Sequence, residues 1–163
     1  RDMFLFSFYT RGMSFIDMAY LKKSDLKNGI LTYRRRKTGQ QLTIKWEKCM
    51  EEIVTKYKGR SATQYLLAII INPLVSERGQ YMNALSRVNV ALKEVARLVN
   101  LQIPLTMYCA RHGWASVAKS KNIPLSVISE GMGHDSEETT RIYLTSLDTS
   151  VVDRANSLIL KDL

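Results

Sequence analysis

The sequence predicts a mainly α-helical domain that carries one small antiparallel β-hairpin. Three observations predict it. An amphipathic repeat fills residues 79–100, where Met82, Leu85, Val88, Leu92, Val95 and Val99 recur at steps of three and four. Two runs of strand formers, ILTYR and LTIKW, flank a turn around Lys37-Thr38-Gly39. The other periodic segments are divided by Pro104, Pro124, Gly131 and Gly133, and a chain of 163 residues that is 45% hydrophobic is about one domain's worth.

Residues 3–9 read as an apolar helix, joined part-way along as core helices are, so a preceding segment is expected. Ser14 and Asp17 have capping-box spacing and start a second helix that runs to about Leu21. In the hairpin, Ile30, Thr32 and Arg34 alternate with Leu31, Tyr33 and Arg35, so the two sets face opposite sides. Residues 46–58 read as a helix of mixed charge. YLLAIII, residues 65–71, is stopped by Asn72-Pro73 and reads either as a short buried strand or as a helix end. After Pro104 a helix is expected over about 108–120, with Ala110, Trp114, Val117 and Ala118 inward. Pro124 suits a first helical turn, Leu125, Ile128 and Met132 share a face, and Gly131 and Gly133 end that helix. Asp135 and Glu138 have capping-box spacing for a helix over about 136–146. A last helix over about 149–160 carries Val152, Ala155, Leu158 and Ile159.

Composition narrows the function. No apolar run approaches the roughly 20 residues of a membrane span, and no cleavage site follows the opening MFLFSFY. Cys49 and Cys109 form no CxxC, and with two histidines the chain has no metal-ligand spacing, so a reducing compartment and no zinc are expected. Of the net charge of +9, residues 22–60 hold +8, with twelve Lys/Arg against four Asp/Glu. Such a local basic stripe suits a polyanion such as DNA, and equally a solvated surface.

Four places carry candidate chemistry. In GMGHDSEETTRIYL, residues 131–144, His134 stands nine residues before Tyr143. On one unbroken helix that is about two and a half turns and opposite faces. The Gly-X-Gly break lets both face one cleft. Tyr143 is a nucleophile only if cations stabilise its phenolate, because a free phenol titrates at about 10; alone, it reads as a half-buried tyrosine. Arg111, beside His112 near a helix start, suits a grip on two phosphate oxygens, although an isolated Arg-His pair is more often plain surface. Lys37 tips the hairpin behind Arg34, Arg35 and Arg36, with Lys45 on the return strand. A β-ribbon of this kind can enter a DNA groove, and its lysine can protonate a leaving oxygen, though most such runs are charged turns.

The constellation is more specific than its parts. L-T-x-Y-x-x-R-H at 105–112, G-x-G-H at 131–134 and a tyrosine nine residues on keep one order and spacing. This resembles the C-terminal catalytic domain of the tyrosine recombinases, the phage integrase family, whose boxes usually read H-x-x-R-H, L-G-H and a tyrosine nine residues later. The resemblance covers essentially all of 1–163 as a single catalytic domain and implies that a core-binding domain precedes it. Two positions depart from the family. Tyr108 stands where the first box has histidine, and it cannot shuttle protons near neutral pH. Ser14, in GMSFIDM, stands where the family has an early arginine, as in G-L-R-x-S-E-L. Arg11 lies three residues earlier and takes that role here if the backbone is helical there. Similar departures place the chain nearest the integrases of conjugative and mobilisable elements.

The resemblance implies site-specific DNA recombination or integration without metal or cofactor. Tyr143 attacks a phosphodiester, forms a 3′-phosphotyrosyl link and releases a 5′-hydroxyl. Arg11 and Arg111 neutralise the phosphate, Lys37 protonates the leaving oxygen, and His134 and Tyr108 hydrogen-bond the phosphate. His112 packs beside Arg111. Double-stranded DNA is the implied partner, with a monomer as isolated domain and a homotetramer in the synaptic complex. The implied location is the cytoplasm, at the bacterial nucleoid. A type IB topoisomerase-like enzyme and a catalytically inactive DNA-binding module remain as alternatives. Target site, direction of recombination, host factors and cis or trans docking of the last helix are not legible.

Overall fold

The computed structural model describes residues 1–144, Tyr143 through its backbone alone; the helix expected at 149–160 lies outside the described residues. The described residues form seven α-helices, one 3-10 turn at Lys23–Asp25 and a three-stranded antiparallel sheet. The helices are α1 (Asp2–Tyr9), α2 (Phe15–Ala19), α3 (Lys48–Lys56), α4 (Glu77–Leu98), α5 (Met107–Ser120), α6 (Leu125–Met132) and α7 (Glu137–Tyr143). The strands β1 (Leu26–Lys27), β2 (Ile30–Arg34) and β3 (Gln41–Lys45) lie in that order. In the predicted hairpin Tyr33 faces Leu42 and Arg34 faces Gln41. Among the described residues no helix is long and apolar enough to cross a membrane.

The hairpin alternates as its sequence does. Leu31, Tyr33, Leu42 and Ile44 are buried in the main core with Phe6, Met13, Met18 and Leu67. Arg35 continues the inward row, 7% exposed, while Arg34 and Arg36 are exposed. Ser14 caps α2 as expected, its Oγ accepting from Asp17 N at 3.3 Å and donating to Asp17 Oδ2 at 2.6 Å. Asp17 Oδ1 accepts the N–H of Arg36 at 2.9 Å, which ties α2 to the hairpin loop.

Several expectations are corrected. YLLAIII forms neither strand nor helix beyond an isolated bridge of Tyr65 with Lys22; its Leu67, Ile69 and Ile70 are buried in irregular backbone, with Leu66 N donating to Leu21 O at 2.7 Å. The α4 stripe is rotated. Tyr81, Ala84, Leu85, Val88, Leu92 and Ala96 lie inward, whereas Met82, Val95 and Val99 are 52%, 39% and 59% exposed. Small residues decide this, since alanines let the helix approach α2 and α5 on that face. On α5 the buried residues include Arg111 and Ala115, with Val117 exposed. The α7 cap is Ser136, whose Oγ accepts from Thr139 N, and not Asp135.

Helix α1 packs against α5 and α3. The Phe8 ring lies against Gly113, where a Cβ would meet it at an ordinary contact distance of 3.8 Å. Asn89 of α4 starts α5 by accepting Met107 N at 2.9 Å. A second small core joins Ala115, Ala118, Ile128 and Met132, with Leu144 packed on it, so the end of α7 returns to α5 and α6.

Asp2 pins α1 to α3. It is buried, and its Oδ2 takes the Lys56 ammonium and the Tyr57 hydroxyl. These donors, Lys56 first, hold its carboxyl down at about 2 against burial, which pulls the other way. A depressed folded-state value stabilises the fold above about pH 4, and that stability is lost as pH falls towards 2. Lys56 is half exposed, which limits the effect to about 1–2 kcal/mol. Asp2→Asn is therefore expected to lower stability by about that much at pH 7 and to converge with wild type near pH 2, measured by denaturant titration across pH.

Candidate active site

Three turns converge on the start of α5. The first closes α1, with Arg11 N bonded to Phe8 O and Gly12 N to Ser7 O at 2.8 Å. That is a Schellman-type stop. Ser7 Oγ donating to Met13 O and Thr10 Oγ1 donating to Phe6 O, both buried, hold its shape. The second is the hairpin loop, residues 35–40. The third joins α6 to α7, with Gly133 in the left-handed region at φ +64.

Arg111 stands between the first and third turns, 4% exposed. Its Nη1 donates to Gly12 O and its Nη2 to Met132 O, each at 2.7 Å; Nη2 also reaches His134 Nε2 at 2.8 Å. Gly12 has φ +74, and a Cβ there would lie 2.8 Å from Arg111 Cα and Cγ. Both facts require glycine. Arg35 comes from the hairpin and donates from Nη1 to Gly133 O. A Cβ on Gly133 would lie 2.8 Å from Arg35 Cδ and 2.9 Å from Leu42 Cδ1. So each arginine is seated on the carbonyl of a left-handed glycine.

Burial, followed by the charge of Arg35, lowers the pKa of Arg111 to about 10, which leaves it charged at neutral pH. Among the described residues neither Arg35 nor Arg111 forms an ion pair with a carboxylate. The buried Asp17 nearby is occupied by Ser14 Oγ and Arg36 N. Tyr33, buried beneath, is pushed up by burial and then by Asp17, against Arg35, Arg111 and Arg11, so it stays a neutral phenol. Two buried guanidiniums bonded only to neutral groups attract an anion with two or more acceptor oxygens.

His134 lies beside them. Burial first, then Arg111 and Arg35, lower its pKa to about 4, so the ring is neutral at pH 7. Its Nδ1 is 2.7 Å from Thr140 Oγ1, and Thr140 is fully buried on α7. The α7 backbone then carries Tyr143 three residues further on, nearly one turn. The break between α6 and α7 thus places His134 and the tyrosine helix together, as the spacing allowed.

The other expected residues are spread more widely. Tyr108 is 54% exposed, its ring edge-on to His112 at 4.8 Å. Burial, then Arg111, lowers the pKa of His112. Arg11 is not helical, contrary to the premise on which it takes the early arginine's role. It occupies the left-handed region at φ +61, and its Cδ runs to within 3.7 Å of where a Gly131 Cβ would stand. A non-glycine residue there carries strain of about 1–2 kcal/mol. Lys37 is exposed at the hairpin tip and contributes, last among the charges, to holding down the His134 pKa. Arg34 closes the loop on Gly39 O at 2.9 Å, Arg36 lies 4.0 Å over the Tyr20 ring, and Lys45 is 3.7 Å from Glu47 at the far end of the hairpin. Sequence reasoning grouped Arg35 with these surface arginines, although its place in the alternation beside Leu31 and Tyr33 gave the inward direction. Thr140 had no signal beyond lying six residues after His134. Among the described residues no group of three or more His, Cys, Asp or Glu could hold a metal ion.

Comparison with known proteins follows the same line. The family model described as the phage integrase family matches residues 3–150. The crystal structure of XerA recombinase superposes with a TM-score of 0.68 at 18% identity, over 95% of this chain and 56% of that one. XerH site-specific recombinase, bound to a palindromic difH substrate in a post-cleavage complex, gives 0.68 at 19%, over 96% and 45%. The Tn1549 transposon integrase in complex with transposon right end DNA gives 0.67 at 14%, over 98% and 58%. At these identities the likeness is one of fold, and the chain spans about half the length of the structures it matches. No curated protein matches it. The family match runs through every turn and helix of the site, and the chain belongs to the phage integrase family.

Proposed function

We propose that this chain is the catalytic part of a site-specific DNA recombinase that cleaves and rejoins duplex DNA through Tyr143. The observation that carries the reading is the pair of buried guanidiniums, Arg35 and Arg111, without a carboxylate among the described residues and beside the histidine that α7 joins to Tyr143. A phosphodiester fits that pair. Its two non-bridging oxygens gain charge as the Tyr143 oxygen bonds to phosphorus and the 5′-oxygen departs, and fixed cations stabilise that state most. The phenol gives up its proton to solvent water, and Lys37 supplies one to the departing 5′-oxygen. The product is a 3′-phosphotyrosyl ester. Its bond energy lets a second 5′-hydroxyl reverse the step and exchange strands.

In this scheme Arg35 takes the place of the early arginine missing at Ser14. It is buried and electrostatically coupled to Arg111 and His134, whereas Arg11 faces the Gly131 side. Arg34 and Arg36 lie on the outer side of the same hairpin, where they are available to the DNA backbone. Double-stranded DNA as partner has the support of the XerH and Tn1549 structures, which hold DNA. Assembly into a tetramer around two sites, and a place at the nucleoid, extend the same reading.

Two experiments test it. With nicked duplex from the ends of its own element, wild type is expected to form a covalent protein–DNA adduct on denaturing gels, and Tyr143→Phe none while still binding DNA. Binding without an adduct in wild type would reduce the chain to a DNA-binding module. In single-turnover cleavage, Arg35→Ala is expected to lose about 100-fold or more, Arg35→Lys to recover little of it, and Arg11→Ala to lose distinctly less. The reverse ranking would return the early arginine's role to Arg11.

A further inference from the structure

Arg11 occupies a backbone conformation that suits it poorly. Among the described residues four that are not glycine take left-handed backbone, and the other three are Asn28, Asn100 and Asn122. Asparagine tolerates that region, whereas a long side chain is strained in it. The stop of α1 imposes φ +61 on Arg11, through Arg11 N bonded to Phe8 O and Gly12 N to Ser7 O. A glycine or an asparagine would serve that turn at less cost. The chain carries an arginine instead, so the side chain has a use that offsets the strain.

That use does not lie within the described fold. The Arg11 guanidinium forms no ion pair, ring stack or hydrogen bond among the described residues. Its stem is nevertheless held. Arg11 is half-buried, and a Cβ on Gly131 would lie 3.7 Å from Arg11 Cδ and 3.2 Å from Trp114 Cη2. The two segments beside it are those that seat Arg111. Gly12, next after Arg11, accepts Arg111 Nη1 on its carbonyl, and Met132, next after Gly131, accepts Nη2. Arg11 thus stands at the edge of the buried arginine pair, anchored along its stem and open at its charged end.

We propose that Arg11 grips the phosphate adjacent to the one seated on Arg35 and Arg111, and so sets which phosphate of the strand lies before Tyr143. A DNA strand presents its phosphates at regular steps, so a strand that docks one of them on the pair brings the next alongside. A guanidinium can take two oxygens of that neighbour at once. The stem held against Gly131 leaves little freedom to lose when it does so. Two grips on successive phosphates fix the register of the strand, which one grip alone does not.

The choice of DNA as ligand rests on the proposed function; the contact is tested without cleavage. Arg11→Gly is expected to fold at least as stably as wild type in denaturant, because glycine relieves the left-handed strain. Its affinity for nicked duplex should fall about tenfold, and the slope of log affinity against log salt should become shallower by about one. Arg11→Asn, which also suits the turn, should behave in the same way. Duplexes carrying a single uncharged methylphosphonate then locate the contact. Arg35→Ala should be indifferent to neutralisation of the one phosphate that the pair holds, and Arg11→Gly indifferent only at its neighbour. Wild-type affinity and salt slope in both Arg11 variants would overturn the inference. So would Arg11 and Arg35 marking the same phosphate, or Arg11 marking none. Two neighbouring phosphates marked as expected, in a chain that forms no phosphotyrosyl adduct, would overturn the proposed cleavage and leave the Arg11 contact standing.

Discussion

Two guanidinium groups buried together, with no carboxylate ion-paired to them among the described residues, are the constraint on which the rest of this structure depends. Burial and mutual repulsion both act against them, and the depressed pKa of Arg111 records the cost. The fold offsets that cost with carbonyl oxygens, which accept hydrogen bonds without cancelling the charge. Gly12, Met132 and Gly133 supply them. Each carbonyl comes from a turn at the end of a helix, where backbone acceptors are left over from the helical ladder. An ion pair would have satisfied the arginines more fully, and it would have cancelled the charge that the proposed function requires.

The glycines follow from this. Gly12 and Gly133 both adopt left-handed backbone, and at both a Cβ would collide with an arginine side chain. They bring three segments distant in sequence within reach of one guanidinium pair. Asp17 serves the same end from α2. It accepts Ser14 Oγ and Arg36 N, which ties α2 to the hairpin loop one residue beyond Arg35, and its charge favours the protonated Arg111. The residue that replaces the family's early arginine is thus tied, through Asp17, to the loop that follows the arginine we assign in its stead.

Much of this was legible in the sequence. The hairpin, the Ser14 cap, the break at Gly131–Gly133 and the order of Arg111, His134 and Tyr143 follow from local rules of alternation, capping and left-handed turns. Arg35 was legible in part: the period of two put it on one face with Leu31 and Tyr33, while its three basic neighbours suggested a surface run. Which consideration wins depends on the Gly133 carbonyl, 98 residues further along the chain, and no local pattern encodes it. The α4 face was misjudged for a similar reason. Large apolar residues set the apparent stripe, but alanines at 84 and 96 set the close approach. YLLAIII is buried without a regular element because its partners, Leu21 and the Lys22 backbone, lie some forty residues upstream.

The account turns on Arg35 and Arg111 acting as one anion site. Its most direct test is a titration of the chain with inorganic phosphate, followed through the side-chain Nε–H signals of its arginines. The account predicts that Arg35 and Arg111 shift together along one saturable curve while Arg34 and Arg36 do not follow it. A curve shared by Arg111 and Arg11 with Arg35 unmoved would contradict it, as would shifts that grow without saturation across all the arginines alike.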